Sequence, residues 1–211
     1  MSHSVEKFQN SQWVKLDKIN FSKRTILSLV KEGTVLDIGC GDGLLMECLH
    51  RENKIKIKGI DISSKAVEIA KGRGLDAVQG DITDKLPFAD NSFNSVLLID
   101  VLEHIFQPLD VLKEAHRVCT DYVYISVPNF VSFPARIQVL LGQVPENNTA
   151  RDGHAYWMTQ AVITDLLEKS GFKIEKLIVN TFWEKFPLMK YIKLLNPSFF
   201  GLSFIIKARK V

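Results

Sequence analysis

Cysteine is scarce in this chain: three in 211 residues, at Cys40, Cys48 and Cys119. The number is odd, the residues fall in or near regular elements, and none has ligand spacing to another Cys or to a His. That pattern argues against a disulfide framework and predicts reduced thiols in a cytoplasm. Long apolar runs are lacking as well. None approaches the roughly 18 residues that a membrane span needs, the longest lying near 199–206. The first residues, Met1-Ser2-His3-Ser4-Val5-Glu6, lack the charged and apolar regions of a signal peptide, so a cytoplasmic location is the expectation. Charge of one sign is also missing, because 27 Lys and Arg face 24 Asp and Glu. A net +3 is too small to argue for a nucleic-acid partner.

What is present suits one α/β domain spanning 1–211. The chain is 46% apolar and 24% charged, ordinary values for a globular protein with a full core. The charge is uneven, however. From Lys169 onward there are nine Lys or Arg against two Glu, interleaved with Phe182, Trp183, Phe186, Tyr191, Phe199 and Phe200. A solvated basic surface over an aromatic core explains this. A lid, a partner-docking face and a peripheral membrane contact by 181–201 remain alternatives.

The organising stretch is Val35-Leu36-Asp37-Ile38-Gly39-Cys40-Gly41-Asp42-Gly43. Thr34 to Leu36 and Ile38 read as a short buried strand. Three alternate glycines let the backbone turn sharply and approach a ligand. Leu44 then opens a run with helical spacing, so strand, turn and helix N-terminus form a nucleotide-binding corner. No lysine follows the last glycine, which excludes a phosphate-cradling P-loop. The dinucleotide fingerprint G-x-G-x-x-G is also broken, because its third glycine comes one residue early. Asp37 and Asp42 would repel a pyrophosphate and attract a cation. The pattern resembles motif I (D/E-x-G-x-G-x-G) of the class I S-adenosylmethionine-dependent methyltransferases, whose cofactor carries a sulfonium and an ammonium. That resemblance implies a Rossmann-like, seven-stranded, doubly wound sheet with an antiparallel last strand. It also implies S-adenosylmethionine as cofactor, S-adenosylhomocysteine as product, and Asp37, Gly39, Cys40 and Gly41 at the cofactor.

In chain order, 1–33 reads as an N-terminal flap plus a helix stopped by Gly33. A second strand ends at Asp61, about 20 residues past the glycines, where an acid meets ribose hydroxyls; Ile62 follows it. Ser63 is placed to cap the next helix. After a third strand, 76–79, Asp81 and Ile82 match the family's adenine position. Leu86-Pro87-Phe88-Ala89-Asp90-Asn91-Ser92-Phe93-Asn94 resembles the family's LPF-x-DxSFD segment, with Asn94 in place of Asp. Strand four, 95–99, ends at Asp100, which joins the cofactor set. Leu102-Glu103-His104 then resembles a triplet of small-molecule O-methyltransferases, including ubiquinone-pathway enzymes. Its place at the sheet's switch point makes Glu103 and His104 candidates for a base or a substrate-positioning pair.

A helix from Pro108 through Cys119 and a fifth strand, 122–127, come next. Two insertions, 130–157 and 181–201, are expected to cap the pocket, and the first holds the candidate substrate contacts His154 and Tyr156. No resident metal is expected. The segment from Ser126-Val127-Pro128-Asn129-Phe130 through Arg136–Gly142 to Pro145 resembles the family of methionine-biosynthesis protein MetW. Two functions follow from these resemblances. One is methyl transfer to a small-molecule acceptor. The other is a MetW-like S-adenosylmethionine-binding partner of an acyltransferase, with no methyl acceptor of its own.

Overall fold

A computed structural model describes residues 19–53, 55–145, 153–181 and 196–211. Among these, seven strands form one sheet: β1 (Thr34–Ile38), β2 (Lys56–Asp61), β3 (Asp76–Gln79), β4 (Phe93–Ile99), β5 (Cys119–Pro128), β6 (Phe172–Asn180) and β7 (Ser203–Lys210). Their order is β3-β2-β1-β4-β5-β7-β6. β1 to β5 pair in parallel, while β7 runs antiparallel to both β5 and β6. The seven-stranded doubly wound sheet with its antiparallel last strand is therefore the fold adopted.

Period-two alternation divides the strands between two helical layers. Leu36 and Ile38, Val96 and Leu98, Val123, Ile125 and Val127, and Phe204 and Ile206 face one way. They pack with helices α4 (Pro108–Val118) and α6 (Gln160–Lys169) through Val111, Leu112, Ala115, Ile163 and Leu167. Val35, Leu97, Ile99, Tyr124 and Ile205 face the other way, onto α1 (Phe21–Leu29) and α2 (Leu44–Asn53). Helix α3 (Ser64–Gly72) closes the β2–β3 side with Val67 and Ala70. The described residues also form α5 (Phe133–Leu140), the single turn α7 (Pro197–Phe200) and a 3-10 turn at Leu102–His104.

The predicted cap is present, Ser63 Oγ accepting from Ala66 N at 3.1 Å, and Thr159 Oγ1 caps α6 in the same way, accepting from Val162 N at 3.2 Å. Strand boundaries differ from expectation in β4 and β5. β4 starts at Phe93, not Ser95, and β5 at Cys119, not Tyr122. Cys119 takes an extended conformation and pairs with Phe93 across an irregularity, so it ends α4 instead of belonging to it. Asn94, where the motif has Asp, explains itself. Its Oδ1 accepts from Thr34 N at 2.9 Å while its Nδ2 donates to Asp121 Oδ2 at 3.1 Å, a donation that a carboxylate could not make. Most of the expected flap (1–18) and of the second insertion (182–195) lies outside the described residues, as do 146–152 of the first.

Candidate functional site

The chain leaves β1 through Gly39, Gly41 and Gly43, whose φ angles are 74°, 57° and 76°. This is the left-handed region, costly for a residue with a Cβ. At Gly39 space forbids one as well, since a Cβ there would stand 2.5 Å from Val101 Cγ2. The turn is stitched to β2 by Gly39 N and Cys40 N, which both donate to Ile60 O, at 2.8 and 3.1 Å. Asp61 completes it: Oδ2 accepts from Gly41 N and Oδ1 from Ser63 N, each at 2.8 Å. Burial pushes this carboxyl up, and the two N–H donors pull it back. A carboxylate carries about four lone-pair sites, so Asp61 keeps acceptors for a pair of vicinal hydroxyls.

Asp37 is 4% exposed. Burial raises its carboxyl to about 7, opposed by Lys23 and reinforced by Asp61. A neighbouring cation would restore the charged form. Asp42 plays a different part from the one its sequence position suggests. It is 1% exposed, its Oδ2 pairs with Arg73 at 2.8 Å, and its Oδ1 accepts from Leu44 N at 3.2 Å. Its charge is met by Arg73 and it caps α2, so attraction of a cationic ligand falls to Asp37 and Asp61. Past β3, Gly80 N donates to Asp61 O at 2.9 Å, which sets Asp81 and Ile82 beside the β2 end. Asp81 Oδ1 accepts from Thr83 N and Oγ1, at 3.0 and 2.6 Å, and Ile82 is buried in the core. Ile62 is half-buried, and its carbonyl accepts from Gln79 at 3.2 Å.

Beyond Val101, which Gly39 touches, lies a cavity of about 340 Å³ lined by Asn20, Asp100, Glu103, His104, His154 and Ser203 among others. Asp100 has φ 58°. It is held there by its N–H to Ser126 O at 3.0 Å and by the Ser126 hydroxyl donating to Oδ1. Asn20, the N-cap of α1, donates to Asp100 Oδ2 at 3.4 Å. Glu103 is 2% exposed and its Oε2 has no hydrogen-bond partner. Burial first, then the Asp100 charge, hold this carboxyl well above the usual range.

The Glu103 carbonyl accepts from Ala155 N at 2.7 Å and Tyr156 N at 2.9 Å, which pins the far segment to the Leu102–His104 turn. His104 Nδ1 meets Gly153 O at 3.3 Å, and its ring lies edge-on to His154 with centroids 4.9 Å apart. One ligand atom from each of Glu103, His104 and His154 falls within a 4.8 Å cluster. The expected pair and His154 thus come together. Tyr156 does not join them, because its side chain packs against the core. Asn20, Ser126, Asn180 and Ser203 were not anticipated. Asn20 carries a helix-capping signal, but nothing local marks its contact with Asp100.

The sheet order with an antiparallel β7, the glycine turn and an acid at the end of β2 define a class I methyltransferase fold. The magnesium protoporphyrin IX methyltransferase of Synechocystis PCC 6803, solved with bound SAH, superimposes over the whole of both chains with a TM-score of 0.73 at 17% identity. The chain belongs to the family described as methionine biosynthesis protein MetW, whose model matches residues 21–172. Among curated relatives, the ubiquinone biosynthesis O-methyltransferase of Vibrio campbellii is 31% identical over 103 residues, 45% of this chain and 43% of that one. The ajmaline N-methyltransferase of Rauvolfia serpentina is 36% identical over 110 residues, 48% of this chain and 37% of that one. The chain therefore spans less than half the length of these two relatives.

Proposed function

We propose that this protein is an S-adenosylmethionine-dependent methyltransferase acting on a small-molecule acceptor. The observation that carries the reading is the adjacency of the glycine corner, with Asp37 and Asp61, to a cavity holding Asp100, Glu103, His104 and His154. The corner fits the cofactor in three respects. Its glycine turn leaves no Cβ in the way, Asp61 retains acceptors, and Asp37 is a buried acid that a cation would ionise. When bound, S-adenosylmethionine supplies an already activated methyl group. Much of the chain's contribution is then orientation and exclusion of water. Glu103, raised towards its neutral form, and His104 stand where an acceptor's proton would be held or moved.

Calorimetry with S-adenosylmethionine, S-adenosylhomocysteine and NAD in parallel tests the cofactor. Binding of the first two and not the third is expected. Asp61→Ala should weaken both by at least about a hundredfold, roughly 3 kcal/mol. NAD binding alone would overturn the reading. Glu103→Gln and His104→Ala should each lower turnover while leaving cofactor affinity within a few-fold. Loss of turnover and affinity together would reduce both residues to holding the loop.

The second reading, an S-adenosylmethionine-binding partner of an acyltransferase in methionine biosynthesis, is favoured by the family itself and by one surface. Ile137, Leu140, Leu141 and Val144, on and just after α5, leave an apolar strip 41–82% exposed. Bound cofactor that is never turned over with any acceptor would favour it. No helix among the described residues is long and apolar enough to cross a membrane.

A further inference from the structure

We propose that Glu103, His104 and His154 form a binding site for one divalent transition-metal ion of the zinc type, open towards the cavity. Three independent features of the molecule point to it. The ligand atoms gather within 4.8 Å of one another although His154 comes from a segment far along the chain. Glu103 carries a buried carboxylate oxygen with no hydrogen-bond partner, an arrangement that is costly unless something at the site engages it. The third is the tautomer of His104. A carbonyl only accepts, so contact with Gly153 O calls for a proton on Nδ1, and in the neutral ring Nε2 is then the atom that could ligate. Metal-binding histidines are oriented by this kind of outer hydrogen bond.

The cluster is also braced from behind. Both N–H groups that follow His154 donate to the Glu103 carbonyl, so the two segments are fixed to each other before any ion arrives. Ligands at 2.0–2.2 Å from a tetrahedral metal stand about 3.3–3.6 Å apart. Atoms as far apart as 4.8 Å would therefore close by up to about 1.5 Å, which asks for rotamer adjustment of the histidine and glutamate side chains. Two imidazoles and one carboxylate suit zinc and its first-row neighbours and leave positions for water or substrate. Magnesium, which keeps oxygen ligands and several waters, is a poor match. Asp100, in the same cavity, adds negative charge that favours a cation.

Under the methyltransferase reading, on which this consequence rests, the acceptor is a compound with an ionisable hydroxyl. Oxygen on the open position would give up its proton to solvent more readily, as water does on a catalytic zinc. The metal site itself does not depend on that reading.

The test uses the full-length protein stripped of metal, titrated with Zn²⁺ by calorimetry and with Co²⁺ by visible absorption. One Zn²⁺ per chain is expected, with Mg²⁺ giving no comparable binding. His154→Ala and Glu103→Gln should each weaken Zn²⁺ at least tenfold, while His154→Cys, which keeps a ligand, should retain most of the affinity. His50→Ala, on the exposed end of α2, should bind as the parent does. Thermal unfolding without metal checks that each variant folds. The proposal is overturned by absence of stoichiometric Zn²⁺, or by His154→Ala binding as tightly as the parent. S-adenosylmethionine is titrated into the same stripped sample. Cofactor binding without zinc binding sinks the metal site alone, and zinc binding without cofactor binding sinks the methyltransferase reading alone.

Discussion

The glycine corner and the cavity beside it are built in opposite ways. The corner is made of residues close in sequence, and backbone groups close it. Gly39 N and Cys40 N go to Ile60 O, and Gly41 N and Ser63 N go to Asp61. The cavity is made of side chains brought from the start of α1, the ends of β4 and β5, the segment at His154, the end of β6 and the start of β7. Of its acids, Asp100 is half-buried and hydrogen-bonded, while Glu103 is buried with one oxygen that has no hydrogen-bond partner. The backbone-closed corner tolerates change at its exposed side chains, but not at its glycines, at Asp61 or at the buried Asp42–Arg73 pair. A side-chain-built cavity can alter its chemistry with little effect on folding, which suits the part of a molecule that selects a substrate.

The largest expected effect tests whether the corner is held by backbone alone. Arg73, 9% exposed, pairs with the buried Asp42 at 2.8 Å and with Glu47 at 2.5 Å. Arg73→Met leaves the Asp42 charge buried and uncompensated, a loss of about 3–5 kcal/mol by urea unfolding. Adding Asp42→Asn should recover most of it. A parent-like Arg73→Met would show that the ion pair contributes nothing to the turn. Next is Gly39→Ala, expected to cost about 2–4 kcal/mol from its left-handed φ and the collision with Val101. In a Val101→Ala background the added cost should fall to about 1–2 kcal/mol, the conformational part. An unchanged cost would mean that the corner and the cavity wall are not mechanically linked through Val101.

The same contrast explains what could be read in the amino-acid sequence. Strand periods, the cap at Ser63, the glycine turn and the acid ending β2 are local signals, and the structure has all of them. The role of Asp42 was hidden because its partner, Arg73, lies a whole βα unit away and a charge pattern shows no pairing. Asp100 was legible as a strand-end acid. Its positive φ and its clasp by Ser126 and Asn20 depend on elements placed by tertiary packing. Glu103 and His104 were visible as a triplet, and His154 as a lone histidine. Their assembly into one cluster follows from the Glu103 carbonyl binding the backbone at Ala155 and Tyr156, which no spacing rule encodes. Tyr156 shows the converse, since a polar aromatic in an insertion supplies its N–H to that clasp and its ring to the core.

The smallest effect sharpens the comparison through Asp37, an acid that belongs to the corner yet is as buried as Glu103 in the cavity. Its folded-state value of about 7 lies above the ordinary 3.8. The folded protein therefore holds this proton more tightly than the unfolded chain, and the associated stability is lost as pH rises from about 4 through 7. A cationic ligand beside Asp37 favours the carboxylate, so binding must release a proton in that window. Affinity for S-adenosylmethionine should rise about five- to tenfold between pH 6 and 7.5, then level off. Calorimetry in two buffers of different ionisation enthalpy would register the released proton at pH 6 and its disappearance near pH 8. Asp37→Asn should bind more weakly and without this slope. If the parent's affinity is flat across the range, Asp37 does not face the cation, and the corner's attraction for it rests on Asp61 alone.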